Sequence, residues 1–347
     1  MPDISAKKIL IIQTYELGDV LLTTSYLEAL RQKFPNAIID FLVAEKCKIV
    51  LEGNPLINNI RVCVMKKSKN YFLRRLSLLT RIFFANYRLV IDHTANGGSR
   101  VMVLLSHAKY RVGWSDVRFA SFLYNLKAPP RRDCYIALRH FDLLRRTIGI
   151  QEMPFKLHLY IKEKSERKAD AWLLANNINP EDLIIFAPGA RCPGKAWNTV
   201  RFAALADMII ERYNLKAAIV WAPDEFDIAQ KMKNSMKKDI LICEKTTFNE
   251  AAAFVRKARL LICNDGGLNH VSVAADTPSL AIFGGTKSHY WSPQGAVEYH
   301  YHLQNAEFAK NPRNFEDRSS FGITPEEAFE KVGRIFEELE LKQPSAT

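Results

Sequence analysis

The 347-residue chain lacks most of the marks of a specialised protein class. Cysteine is scarce, at 6 residues, and Cys47, Cys63, Cys134, Cys192, Cys243 and Cys263 stand far apart, with no C-x-x-C and no metal-like pairing with histidine. That excludes a disulfide-stapled module and suits reduced, structural thiols in a cytoplasmic setting. No uninterrupted apolar run approaches the ~20 residues that cross a bilayer, so no transmembrane helix is expected. The apolar stretch at 9–12 stops at Gln13 with no small-residue cleavage site behind a longer apolar region, and it reads as a strand rather than a signal peptide. No G-x-G-x-x-G follows that strand, which argues against a dinucleotide oxidoreductase. What remains is a globular composition, 48% apolar, long enough for two domains at ~100–200 residues each.

Acidic residues are the other scarcity, and it is local. Residues 1–150 hold 24 basic and 11 acidic side chains, whereas residues 151–347 hold 25 and 26. The stretch 61–146 alone has 18 basic against 4 acidic, a net of +14, including Lys66, Lys67, Lys69, Arg74, Arg75, Arg81, Arg88, Arg111, Arg118, Arg131 and Arg132. A one-signed field of this kind draws a polyanionic partner or surface, or else simply keeps a solvated face soluble.

Apolar, β-branched runs alternate with segments of helical period, the pattern of parallel sheets built from βαβ units. Strands are expected at 8–13, 37–43, 59–65, 87–93 and 110–114, then at 183–187, 217–222, 239–243, 260–264 and 279–283. A helix is expected over 20–34, ended by Pro35 and Asn36. The stretch 71–87 reads as a basic amphipathic helix that either rests on a membrane surface or packs on the sheet with its arginines outside. Tyr71, Phe72, Phe83 and Phe84 could be taken for nucleic-acid stacking groups, but their spacing fits a buried helix face better, so no nucleic-acid partner is expected. The pattern weakens around 150–180, the expected boundary between two doubly wound domains. Thr324-Pro325-Glu326-Glu327 is a capping box opening a last helix that runs to about Leu341.

In open α/β sheets ligands bind beyond the carboxyl ends of the strands, which directs attention to four loops. Pro188-Gly189-Ala190-Arg191-Cys192-Pro193-Gly194-Lys195 offers glycines for close approach to an anion and a lysine to reach a phosphate, but it is read as lacking the spacing of a Walker P-loop, which argues against a P-loop NTPase. Asn264-Asp265-Gly266-Gly267-Leu268-Asn269-His270 turns a strand into a helix whose N-terminal N–H groups could meet a pyrophosphate, with Asp265 either binding sugar hydroxyls, pairing with Lys195 or serving as an N-cap. Asp19, after the first strand, is placed for general-base work on an acceptor hydroxyl, or equally for an N-cap. Asp224, in Trp221-Ala222-Pro223-Asp224-Glu225, could hold the two hydroxyls of a ribose or lie in a solvated loop.

Taken together, residues 17–43, 188–207 and 262–293 resemble glycosyltransferase family 9, the lipopolysaccharide core heptosyltransferases. Residues 92–114 and 290–295 look closest to the branch that adds a later, branching heptose. The resemblance implies a GT-B fold of two Rossmann-like domains facing a cleft: residues 1–165 binding acceptor, 166–322 binding the nucleotide sugar, and a helix at 323–341 returning to the N-terminal domain.

It further implies an inverting transfer from ADP-heptose, the alternatives being a family 9 transferase using another nucleotide sugar on a different glycan, or a nonenzymatic nucleotide-sugar or polyanion-binding protein. Asp19 would be the catalytic base. Lys195 would bind donor phosphate, Gly266, Gly267 and Leu268 the pyrophosphate, Asp265 the heptose hydroxyls and Asp224 the ribose, with Gly189 and His270 also at the donor. Arg74, Arg111 and Arg118 are expected at the acceptor, a phosphorylated, Kdo-containing lipid A core. No Asp-x-Asp is present, and neither a cofactor nor an obligatory metal is expected. The enzyme would be a monomer in the cytoplasm, held electrostatically to the anionic inner face of the inner membrane. Two departures stand out. Gly266 takes a place where many members carry Thr or Ser, and Tyr15-Glu16-Leu17 replaces a short polar run, making Glu16 a second carboxylate candidate.

Overall fold

The computed structural model describes residues 4–64, 70–118 and 120–341. Lys66, Lys67 and Lys69 of the basic stretch lie outside the described residues.

The chain divides into two compact units, residues 1–160 and 161–347. The first is built on β1 (Lys8–Ile12), β2 (Ile38–Ala44), β3 (Asn59–Cys63), β4 (Leu89–Asp92), β5 (Tyr110–Trp114) and β6 (Leu126–Ala128), in the order β3-β2-β1-β4-β5-β6. The second is built on β7 (Leu183–Ala187), β8 (Lys216–Ile219), β9 (Leu241–Ile242), β10 (Leu260–Asn264), β11 (Ser279–Phe283) and β12 (His300–Gln304), in the order β12-β11-β10-β7-β8-β9. Every pairing is parallel. Counted from its own first strand, each sheet has the same order, and each reverses direction of growth beside that first strand. The crevices between β1 and β4 and between β7 and β10 are therefore where this topology places ligands.

The central strands are apolar on both faces because helices cover both faces of a parallel sheet. Ile9 to Ile12 of β1 are fully buried, with Ile9 level with Ile39 on one side and Leu89 on the other. Ten of the twelve strands fall within a few residues of where the apolar runs put them. The two that the sequence did not announce, β6 and β12, are the sixth strands of their sheets. Their sequences, LKA and HYHLQ, carry no continuous apolar run.

The helix expected over 20–34 is in fact two. It starts at Leu17, runs to Thr23, tightens through a 3-10 turn at Thr24–Tyr26 and resumes as Leu27–Lys33. The break follows from neighbouring hydroxyls that bond back to the backbone: Thr23 Oγ1 donates to the Asp19 carbonyl at 2.7 Å and Thr24 Oγ1 to the Leu21 carbonyl at 2.6 Å. The last helix, Pro325–Leu341, begins with the expected capping box, Thr324 N donating to Glu327 Oε2 at 2.7 Å and Glu327 N to Thr324 Oγ1 at 3.2 Å. It buries Ala328, Val332, Ile335 and Phe336 in the core of the second unit beside the helix Thr199–Tyr213.

Candidate active site

In the second unit one side chain ties the two strand ends of the crevice together. Asn264, the last residue of β10, accepts from the Trp197 N–H at 2.9 Å and donates to the Pro188 carbonyl at 2.7 Å, so it fixes both ends of the 188–197 loop that leaves β7. Trp197 is buried and its indole donates to the Ser320 carbonyl at 2.9 Å. On this frame Lys195 Nζ meets Asp265 Oδ2 at 2.6 Å and lies 5.8 Å from the centre of the Trp291 ring. The Asp265 side chain is 3% exposed and that of Lys195 35%, so the carboxylate is inside and the ammonium partly outside.

The chain then enters the helix Gly267–Ala274 with Gly266 as N-cap. A Cβ on Gly267 would meet nothing within 4 Å, so there is room beside the first turn of this helix, where backbone N–H groups have no partner within the helix itself. His270, one turn in, is buried, and burial pushes its imidazole down to about 4, aided by Lys195 and opposed by Asp265. It is neutral at pH 7. On the far side of the loop a Cβ on Gly189 would collide with the carboxylate of Glu225, whose Oε2 accepts from the Ala222 N–H at 3.1 Å. Asp224 is exposed, so Glu225 is the carboxylate seated against the glycine loop. The spacing from Gly189 to Gly194-Lys195 matches the first part of a phosphate-loop motif, with Ala196 where that motif carries a hydroxyl. The expectation that this loop lacks Walker spacing is therefore corrected: the spacing is present and the hydroxyl is what is missing.

In the first unit Asp19 is half-buried at the third position of the helix Leu17–Thr23. It is not the N-cap, which is Glu16. Its Oδ2 accepts from the Glu16 N–H at 3.1 Å, while Glu16 itself is ion-paired with Lys46. Tyr15 spans the crevice, its hydroxyl donating to the Thr94 carbonyl at 2.9 Å beyond β4, and Thr14 N donates to Thr94 Oγ1 at 2.9 Å. Burial raises the Tyr15 phenol, reinforced by the Asp92 and Asp19 carboxylates and opposed by Arg100. Asp92 is fully buried and holds the turn after β4, accepting from Ser99 Oγ and Tyr124 Oη at 2.8 Å and from the Thr94 and Ala95 N–H groups at 3.0 Å. Burial raises its carboxyl, against the pull of those four donors. Beneath them His93 and His140 stack at 4.2 Å, with Tyr26 Oη 3.0 Å from His93 Nε2. Asp19 and Glu16 were expected here from the sequence, while Thr94, Asp92, His93 and His140 were not.

The three arginines expected at an acceptor differ. Arg74 is exposed and reaches Glu45 Oε1 at 2.8 Å, and Arg118 is exposed. Arg111 has its guanidinium committed to the fold, Nε donating to the Leu123 carbonyl at 2.8 Å and Nη1 to the Ala108 carbonyl at 2.9 Å. Among the described residues no group of three or more His, Cys, Asp or Glu is placed to hold a metal ion.

Two Rossmann-like units, the second with a glycine loop and a lysine at its switch point, match the architecture of GT-B glycosyltransferases. The family model for glycosyltransferase family 9 (heptosyltransferase) matches residues 75–316, and the chain belongs to that family. It is similar to lipooligosaccharide heptosyltransferase 2 of Haemophilus influenzae, 24% identical over 94% of this chain and 99% of the relative. Among solved structures it resembles a glycosyl transferase of family 9 from Veillonella parvula, at TM-score 0.80 and 24% identity, covering 96% of this chain and 97% of the other. It also resembles E. coli heptosyltransferase WaaC with ADP-2-deoxy-2-fluoro heptose, at TM-score 0.72 and 19% identity, covering 94% and 99%.

Proposed function

We propose that the protein transfers heptose from ADP-heptose, with inversion, to the inner core of lipopolysaccharide, working as a monomer at the cytoplasmic face of the inner membrane. The observation that carries this reading is the Lys195–Asp265 pair beside the glycine-led N-terminus of the helix Gly267–Ala274. A nucleoside diphosphate leaves as an anion, and a partly exposed ammonium beside the first-turn N–H groups of a helix stabilises charge where it develops.

In this reading Gly266, Gly267 and Leu268 receive the pyrophosphate, Asp265 the sugar hydroxyls and Lys195 a phosphate. A carboxylate of the 221–225 loop takes the ribose, with Glu225 the better placed of the two because it already sits against Gly189. Asp19 removes the proton from the acceptor hydroxyl, the oxygen attacks the anomeric carbon, the bond to the β-phosphate oxygen breaks, and ADP departs. Arg74 and Arg118 meet the phosphates of the acceptor. Arg111 supports the fold beneath them.

The test is turnover of ADP-heptose with a panel of truncated core acceptors, following ADP release and product mass. A gain of one heptose on one acceptor supports donor, reaction and acceptor together. Binding of ADP-heptose without a mass gain on any acceptor overturns the acceptor assignment. Absence of binding overturns the donor and turns attention to Gly266, with another nucleotide sugar as the next candidate.

A further inference from the structure

The helix Tyr71–Phe84 is apolar on the wrong side. Its inward face is supplied by Leu78 and Ile82, which are buried in the core with Leu10, Val90 and Met102. Its outward face should then be polar. Instead Phe72 is 75% exposed, Leu73 64%, Leu76 52% and Phe84 71%. At ~100° per residue, Phe72, Phe83, Leu76, Leu73 and Phe84 fall within an arc of about 120° opposite the buried pair. Thr80 falls within that arc and Ser77 beside it, while Arg81 and Arg74 lie about 60–80° beyond Phe84 and Arg75 about 60° beyond Phe72, on the flanks towards the buried side. The aromatics whose spacing suggested a buried face are therefore the exposed ones.

Neighbouring helices also expose apolar side chains. The helix Gly97–Leu105 packs beside this one and leaves Val101 and Leu104 exposed, and the short helix Ala120–Leu123 beyond it presents Phe122 at 75% exposure. A helix apolar on both faces is not at rest in water, and clustered exposed apolar groups mark an interaction surface.

We propose that this face, centred on the helix Tyr71–Phe84, inserts its outward apolar side chains into the headgroup region of an anionic bilayer. Charge complementarity chooses the occupant. The face lies in the stretch 61–146 with its net charge of +14, so a second copy of the chain would be repelled, while an anionic lipid surface is attracted. Aliphatic Leu73 and Leu76 offer no stacking surface to a nucleic acid base. Apolar insertion flanked by arginine at headgroup level is the arrangement of an interfacial helix. The inference deepens the membrane placement in the proposed function, replacing purely electrostatic attachment with partial insertion.

The full-length protein is tested for co-sedimentation with vesicles of phosphatidylethanolamine and phosphatidylglycerol, against phosphatidylcholine vesicles, at low and at about 0.5 M salt. The triple variant Phe72→Ser, Leu76→Ser, Phe84→Ser should bind the anionic vesicles at least tenfold more weakly. It should keep wild-type turnover on a water-soluble truncated acceptor, since these side chains touch no core. Part of the wild-type binding should survive high salt, and that part should vanish in the variant. Separately, Phe84→Trp should shift its emission to the blue on adding vesicles.

Unaltered vesicle binding by the triple variant, binding wholly abolished by salt, or no emission shift would each overturn insertion. A wild-type dimer that the triple variant converts to monomer would assign the face to a second copy instead. Turnover on the soluble acceptor is read independently, so failure of the enzymatic reading and failure of the membrane face remain distinguishable.

Discussion

Lys195 and Asp265, 70 residues apart, close to 2.6 Å across the loops that leave β7 and β10. Each residue answers for the other. The buried carboxylate would be costly alone, and the ammonium would be mobile without it. Lys195→Met is expected to weaken ADP binding by about tenfold to a hundredfold, since a charge-assisted contact of ~1.5–3 kcal/mol is lost. It should also lower the melting temperature, because Asp265 is left without its cation. Adding Asp265→Asn should restore the melting temperature and leave ADP affinity low, a separation readable by calorimetry and thermal melting on the same samples.

Asp19 can be tested with little damage to its helix. Asparagine keeps an oxygen that can accept from the Glu16 N–H, so Asp19→Asn should fold and melt like the wild type. Loss of a general base costs about 10²- to 10⁴-fold, so turnover should fall in that range while ADP affinity holds. Turnover near wild type would remove Asp19 from the chemistry and leave it a capping residue.

Glu225 and Asp224 make a paired comparison. If the carboxylate on the glycine loop takes the ribose, Glu225→Gln should raise the Kd for ADP several-fold, because glutamine keeps one acceptor oxygen and loses only the charge, and Asp224→Asn should leave it within about twofold. The reverse ranking in a titration would return the role to Asp224.

Stability should fall on the acid side. Burial holds His140 at about 3 and His270, His300 and His302 at about 4, whereas the unfolded chain takes up these protons near 6.5. These folded-state values are depressed, so the associated stability is present above pH 6.5 and is lost as pH falls from there towards 4. Each such group contributes a slope of about 1.4 kcal/mol per pH unit. Urea midpoints at pH 7.5 and 5 should differ clearly, and His140→Gln should narrow the gap. A midpoint independent of pH over that interval would contradict the neutral, buried state of these rings.

Cys192 is exposed in the same loop as Lys195, while Cys47, Cys134, Cys243 and Cys263 are buried. A water-soluble thiol reagent should modify Cys192 first. Saturating ADP should slow that reaction if the donor occupies the loop, and mass mapping of the labelled peptide reads it directly. Labelling at an unchanged rate in the presence of bound ADP would place the nucleotide elsewhere.

The central strands and the loops after them were legible because a parallel sheet writes its core as continuous apolar runs, and because glycine beside a carboxylate has few other uses after a strand. Lys195, Asp265, Gly266 and Gly267 were found by that logic, and the structure gathers them. Other features were hidden for definite reasons. β6 and β12 lack the apolar run that announced the other two edge strands, β3 and β9. Asp92, His93 and His140 act through burial, which no local pattern reveals. The outward aromatics of the helix Tyr71–Phe84 have the same period as inward ones, so spacing alone could not give their direction; only the packing of Leu78 and Ile82 decides it. Glu225 is distinguished from Asp224 by a glycine 36 residues away.

Each sheet begins in its middle. In both units the strand made first becomes a central one, the next two extend it on one side, and only with the fourth does the chain cross to the other. During synthesis half a sheet can form early, with one side of its first strand still unpaired and prone to wrong partners. The crevice that would receive a substrate does not exist until β4 is laid against β1, or β10 against β7. Ligand binding is thus competent only after the slowest, longest-range pairing is made, so a bound nucleotide would report, and hold, the completion of the second sheet.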